Sequence, residues 1–290
     1  MTAWPAPAKL NLFLHITGCR DDGYHVLQTV FQLLDFGDQL NFDITDDGVV
    51  TRVNEIDGVS ADEDLVVRAA RLLQSHVQCQ QGVRIYLDKR LPLGGGLGGG
   101  SSDAATTLVA LNQLWHTQLS EQELLQLALK LGADVPVFVY GRSAWAEGIG
   151  EQLEPIDLLE RLGERYYLVI TPPCHVNTKE IFSLLELTRN CPPITIAGFF
   201  RGIGINVFES VVARRYPAVL EALAWLADYG KPRMTGTGAS VFASFKNEAE
   251  AQQILAKMPS KWRGFVAKGL DVSPLRSLLD LGDRSEGKLF

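Results

Sequence analysis

Between Gly94 and Gly100 six of the seven residues are glycine, and Ser101, Ser102 and Asp103 follow without a break. Glycine loses more conformational freedom on folding than any other residue, so a run this dense needs a compensating gain. Close approach is that gain: without Cβ atoms the backbone can turn successive N–H groups toward one point and wrap an anion. The stretch from Ala104 to Leu114 predicts a helix with Ser102 or Asp103 as its N-cap. A helix start adds unpaired N–H groups and the positive end of the helix dipole at the same place. The run is therefore read as a phosphate cradle. A flexible linker is the competing interpretation, but linkers mix glycine with serine and lie between domains. This run sits between a strand-like segment, Val83 to Leu87, and a helix. Gly94, Gly96 and Gly99 also satisfy the dinucleotide spacing G-x-G-x-x-G, a weak match in so glycine-rich a run, and Asp88 to Pro92 separate it from its strand. No lysine follows the glycines, as a nucleoside-triphosphate loop of the G-K-[ST] type requires, so cationic help must come from elsewhere.

Two further residues could do chemistry. Asp134 is the single carboxylate in the apolar segment Gly132 to Gly141. It caps a short helix with Pro136 in its first turn, or serves as a general base; the two roles are compatible. Residues 8 to 16 alternate, Leu10, Leu12 and Leu14 against Lys9, Asn11 and Phe13. That period of two predicts a half-buried strand with Lys9 and Asn11 side by side on its second face.

The elements that must position these groups are partly legible. Asp64 to Gln74 is helical, and Ser120 with Glu123 forms a capping box at the start of a helix that Gly132 closes. Gly37-Asp38 and Asp46-Asp47-Gly48 are turn signals between short β-type runs. Glu151 to Gly163 is polar and turn-like, which puts a boundary between a domain over 1–155 and a second over 156–290. In the second, Arg165 to Thr171 is a strand, Val212 to Tyr229 a helix stopped by Gly230, and Thr235 to Ser240 a small-residue loop leading into the strand Val241 to Phe245. Glu248 to Met258 is a helix, Gly264 to Lys268 a strand, and the tail from Gly282 is polar and frayed.

Composition narrows the class. The 290 residues are 46% hydrophobic and 21% charged, the balance of a globular protein. A formal net charge of −7 argues against nucleic acid or a membrane surface as partner. No run approaches the roughly 20 apolar residues of a membrane span. The four cysteines form no C-x-x-C pair and the five histidines show no ligand spacing, which points to reduced thiols in the cytoplasm and no zinc site.

Three segments, Pro5 to Leu12, Leu91 to Ser102 and Thr235 to Ser240, resemble in order the three motifs of the GHMP kinases, the galactokinase, homoserine kinase, mevalonate kinase and phosphomevalonate kinase superfamily. Arg20-Asp21-Asp22-Gly23-Tyr24-His25 and Gly132 to Phe138 narrow the resemblance, which spans about Trp4 to Pro274, to one branch. It implies an α+β, two-domain fold, with an N-terminal domain like domain 2 of ribosomal protein S5, a ferredoxin-like C-terminal domain and the active site between them. It also implies transfer of the ATP γ-phosphoryl to the 2-hydroxyl of a methylerythritol unit that carries a cytidine diphosphate group, in the non-mevalonate route to isoprenoids. A GHMP kinase acting on another small alcohol, such as homoserine or a mevalonate derivative, is the alternative; a non-catalytic nucleotide-binding regulator is a third, disfavoured by the presence of both Lys9 and Asp134.

On this resemblance Lys9 and Asp134 are the catalytic pair, Asp134 accepting the hydroxyl proton. Pro92, Leu93, Gly94, Gly95, Gly96, Leu97, Gly98, Gly99, Gly100, Ser101 and Ser102 bind ATP, and Lys89 lines the adenine pocket. Tyr24 and His25 read the substrate, Tyr24 stacking on the cytosine and His25 serving its edge, while Phe182 closes the other face and Asn11 orients the alcohol. Mg²⁺ is expected on the ATP phosphates, with Ser101 or Ser102 helping.

Overall fold

The computed structural model describes residues 3–21, 23–56, 58–184 and 186–279; Asp22 of the substrate motif and the tail from Gly282 lie outside them. Ten strands and ten helices mix along the chain among these residues, as an α+β fold requires. The strands are β1 (Trp4–Cys19), β2 (His25–Thr45), β3 (Val50–Arg52), β4 (Gly82–Asp88), β5 (Ala144–Glu147), β6 (Gln152–Pro155), β7 (Tyr166–Thr171), β8 (Arg233–Met234), β9 (Val241–Phe245) and β10 (Arg263–Leu270). The helices are α1 (Leu65–Val77), α2 (Gly99–Leu114), α3 (Glu121–Leu131), α4 (Val135–Tyr140), α5 (Leu158–Leu162), α6 (Thr178–Ser183), α7 (Ile196–Phe200), α8 (Glu209–Arg215), α9 (Pro217–Ala227) and α10 (Glu248–Leu255).

The long antiparallel pair β1–β2 is the frame. Alternation along β1 predicts one wet face, but every residue from Ala6 to Ile16 is buried, because other elements cover both sides of the strand. Gly37-Asp38 is no turn either. It lies inside β2, where Gly37 faces Pro7 and Gly37 has no room for a side chain: a Cβ would stand 2.1 Å from the Ala6 carbonyl oxygen. The glycine thus serves strand approach, the second use of that residue type.

On the other edge of β2 lies β4, with the short β3 parallel to it. Near its middle β2 meets β10, through Leu33 and Leu34 opposite Leu270 and Gly269. β10 then pairs with β7, β7 with β9, and β9 with β8, so the sheet order runs β3-β4-β2-β10-β7-β9-β8. One apolar cluster packs α1 to α4 on the sheet around Leu33, Leu73, Ile85, Leu108 and Phe138. A second gathers Ile170, Phe208, Val212, Leu226 and Val241, and it includes Leu14 and Ile16 from the far end of β1. A third, around Leu10, Phe13, Trp145, Tyr167 and Phe242, joins the two.

Local signals set several boundaries as expected. Asp64 caps α1 through its side chain, and the Ser120–Glu123 capping box opens α3, which ends at Gly132. Others differ. α2 begins at Gly99 with Gly98 as its N-cap, so Ser102 and Asp103 sit inside its first turns, buried, and neither caps it. The helix expected over Val212 to Tyr229 is two, α8 and α9, broken at Tyr216 because Pro217 opens the second and cannot continue the first. The polar stretch Glu151 to Gly163 holds β6 and α5.

Candidate active site

The glycine run alternates between two backbone conformations. Gly94, Gly96 and Gly98 have φ of +67°, +75° and +73°, the left-handed region that other residues avoid. Space forbids side chains as well. A Cβ on Gly96 would lie 2.4 Å from the Thr235 carbonyl oxygen, and one on Gly98 would lie 2.7 Å from the Phe138 ring and 3.1 Å from Lys9 Cε. The run is therefore a packed loop and not a linker. It is tied down from two sides: Lys9 N–H donates to Leu97 O (3.0 Å) and Ser240 N–H to Gly95 O (3.1 Å). The first N–H satisfied inside α2 is that of Ser102, on Gly98 O, which leaves the N–H groups of the residues before it for a ligand.

Beside the loop opens a cavity of about 360 Å³, lined by Lys9, Asn11, Asp134, Ser101 and Phe182 as well as by alternate glycines of the run. Its chemistry centres on Lys9. The ammonium donates to Asn11 Oδ1 (2.7 Å), pairs with Asp134 Oδ2 (3.2 Å) and stands 5.4 Å from the centre of the Phe31 ring. Asn11 is itself oriented, because its Nδ2 donates to Thr29 Oγ1 (3.0 Å) while that hydroxyl donates to the Phe13 carbonyl. A hydroxyl has one proton, so Thr29 must accept from the amide, which turns Oδ1 toward Lys9. Asp134 occupies the N-cap position of α4 but makes no capping bond with its side chain. Its carboxylate is 40% exposed and turned to Lys9, whose own side chain is 3% exposed. A carboxylate with an open face, held beside a buried cation, can take a proton from a hydroxyl brought into the cavity.

Lys89 stands on the opposite side of the loop and does not line this cavity. Its ammonium lies 2.6 Å from Asp38 Oδ2 and 2.6 Å from Asp103 Oδ2. Asp38 Oδ1 also accepts from the N–H groups of Arg90 and Leu91, which fixes the entry to the loop. Burial, and next to it the Asp38 charge against the pull of Lys89, pushes Asp103 up to about 8. Asp103 Oδ1 and Ser102 Oγ are buried without a partner among the described residues. Pro92 packs against Gly95, and Leu93 is exposed at the loop's entrance. Among the described residues no three His, Cys, Asp or Glu side chains converge as metal ligands.

At the far end of the cavity the Phe182 ring stands 5.0 Å from the His25 ring and 4.9 Å from Phe208. Tyr24, next to His25 in the chain, is 59% exposed. Burial, and after it the nearby Arg189 charge, lowers the His25 pKa, so the ring is neutral at pH 7.

Several positioning residues escape sequence reasoning. Thr235 accepts from Asn11 N–H (3.0 Å) and donates to Gly96 O (3.3 Å), so one hydroxyl joins all three motifs. Asn206 donates to the carbonyls of Met234 and Gly236, both at 2.8 Å, and so shapes the Thr235 loop. Thr29, Asn206 and Arg189 carry no local signal, since each acts on a segment remote in sequence. Thr235 stands in a quoted motif, but its partners do not show there.

Comparison with known proteins gives the arrangement a lineage. Residues 64–142 match the model of the GHMP kinases N terminal domain and residues 188–264 that of the GHMP kinases C terminal domain. The 4-diphosphocytidyl-2-C-methyl-D-erythritol kinase of Nitrosococcus oceani is 56% identical over 280 residues, covering 97% of this chain and 99% of that protein. The kinase of the same name from Thiobacillus denitrificans is 56% identical over 273 residues, covering 94% and 97%. A crystal structure of 4-(cytidine 5'-diphospho)-2C-methyl-D-erythritol kinase superposes with a TM-score of 0.80 at 30% identity, covering 92% of this chain and 99% of that one. A mevalonate kinase structure shares the fold at a TM-score of 0.70 and 14% identity. The motifs that meet around Lys9 are thus those of an inherited architecture, and the chain belongs to the GHMP kinase family.

Proposed function

We propose that this kinase transfers the γ-phosphoryl group of ATP to the 2-hydroxyl of 4-diphosphocytidyl-2-C-methyl-D-erythritol, a step on the non-mevalonate route to isoprenoid precursors. The observation that carries the reading is the Lys9–Asp134 pair at 3.2 Å on the cavity beside the glycine loop. Phosphoryl transfer needs positioning and charge neutralisation more than covalent chemistry. The loop from Gly94 to Ser102, with Pro92 and Leu93 at its entrance, cradles the triphosphate, the backbone N–H groups before Ser102 being its donors. Asp134 accepts the proton of the attacking hydroxyl, and Lys9, paired with it, stabilises negative charge as the bond forms. Asn11 holds Lys9 and faces the alcohol. Tyr24, His25 and Phe182 take the cytosine, a base that homoserine and mevalonate lack.

The donor set suits Mg²⁺ carried on the phosphates rather than in a protein cage, with Ser101 at the cavity wall as a helper; bound there, the ion would neutralise phosphate charge. Four free cysteines support work in the cytoplasm. The fold divides for this purpose near residue 155, each half contributing one wall of the cavity.

An ATP-consumption assay decides between substrates. The cytidylyl alcohol should be turned over in clear preference to homoserine and mevalonate; preference for either of those would overturn the assignment.

A further inference from the structure

Arg189 has no part in the chemistry above, yet it makes four directed bonds at the base end of the cavity. Its Nη2 donates to the carbonyls of Phe182 (2.8 Å) and Leu184 (2.7 Å), its Nη1 to Leu187 O (3.1 Å) and its Nε to His25 Nε2 (3.1 Å). A guanidinium has five donors and no acceptor, and it does not lose its proton in proteins. The ring nitrogen that meets it must therefore offer a lone pair. In a neutral imidazole the single proton is then on Nδ1. That nitrogen makes no hydrogen bond among the described residues.

Resting on the reading that His25 serves the edge of the substrate's base, we propose that Arg189 is a positioning residue that sets base selectivity, by fixing His25 as the Nδ1–H tautomer. An Nδ1–H donor complements the N3 and O2 acceptors of cytosine. Uracil carries N3–H and would set a donor against a donor. The same guanidinium holds the Phe182 carbonyl, so the stacking wall and the edge-reading group are registered by one side chain.

Two measurements test this. In the ¹⁵N spectrum of the full-length wild-type chain at pH 7, His25 should show a protonated Nδ1 and a bare Nε2. In turnover, kcat/KM for the cytidine-linked alcohol should exceed that for its uridine-linked analogue roughly 10–100-fold, the range expected from one unsatisfied donor. Arg189→Met should shift the ring proton toward Nε2 and bring that ratio toward unity. An Nε2–H or imidazolium ring in the wild type overturns the proposal, as does an unchanged ratio in a folded Arg189→Met. Should that variant not fold, the wild-type ring spectrum decides. Failure of the wild type to act on either nucleotide-linked alcohol would overturn the substrate reading instead, and the spectrum would still judge the tautomer.

Discussion

Gly98 and Gly99 are neighbours in the chain, yet a Cβ on the first would meet Lys9 and a Cβ on the second would meet Lys89. One glycine loop thus separates two lysine–carboxylate clusters with opposite characters. Lys9 pairs with one partly exposed aspartate on a cavity wall, and an amide oxygen takes part of its charge. Lys89 is enclosed by two buried aspartates and does not line that cavity. The same residue types therefore do different work. Where one carboxylate keeps an open face, a proton can enter and leave with a substrate. Where a buried carboxylate and a buried carboxyl enclose one cation, the contacts hold β2, the segment after β4 and α2 together beneath the loop.

The sharpest way to break this contrast is Asp134→Asn. We expect a fold and ATP binding like wild type with turnover lower by roughly 10²–10⁴-fold, checked by steady-state kinetics beside a nucleotide titration. Unchanged turnover would remove Asp134 from the reaction and erase the difference between the clusters. Lys89→Met should strike stability instead, lowering it by about 3–5 kcal/mol in urea unfolding because the buried Asp38 carboxylate loses its cation and the Asp103 carboxyl loses its hydrogen-bond partner. If stability holds and KM for ATP rises, Lys89 belongs with the nucleotide and the contrast fails from the other side.

Tyr24→Ala should raise KM for the cytidylyl substrate roughly 10–100-fold through lost stacking and spare ATP. Equal weakening of both ligands would indicate a general disturbance. A further test concerns pH. The folded Asp103 carboxyl titrates at about 8, well above its ordinary 3.8, so between those values the folded chain keeps a proton that the unfolded chain has released. Stability from this group is present at low pH and falls as pH rises toward 8. Asp103→Asn should flatten that slope in unfolding curves at pH 5, 6.5 and 8; a slope left intact would show that Asp103 ionises freely in the folded protein.

Much of the site was legible because its signals are local. A glycine run needs no partner to announce a cradle, and a lone aspartate in an apolar segment marks itself. Asp134 also shows where local reading stops: the N-cap position is readable, but the missing capping bond and the turn toward Lys9 depend on β1, over a hundred residues earlier. The expected cap at Ser102 or Asp103 failed for a related reason. Their side chains resemble caps, but tertiary packing draws Gly98 into the left-handed conformation and starts α2 there.

What the sequence settled by itself is the inventory: the three motifs, the helix caps at Asp64 and Ser120, the strand and helix periods, and through them the family. Only the tertiary structure decided the pairings, such as which lysine met one aspartate and which met two, that Thr235 joins Asn11 to Gly96, and that Arg189 faces His25. Periodicity and capping arise from neighbours a few bonds away and are written in order along the chain. A hydrogen bond or ion pair between distant segments depends on how the sheet brings them together, and no local pattern encodes that distance.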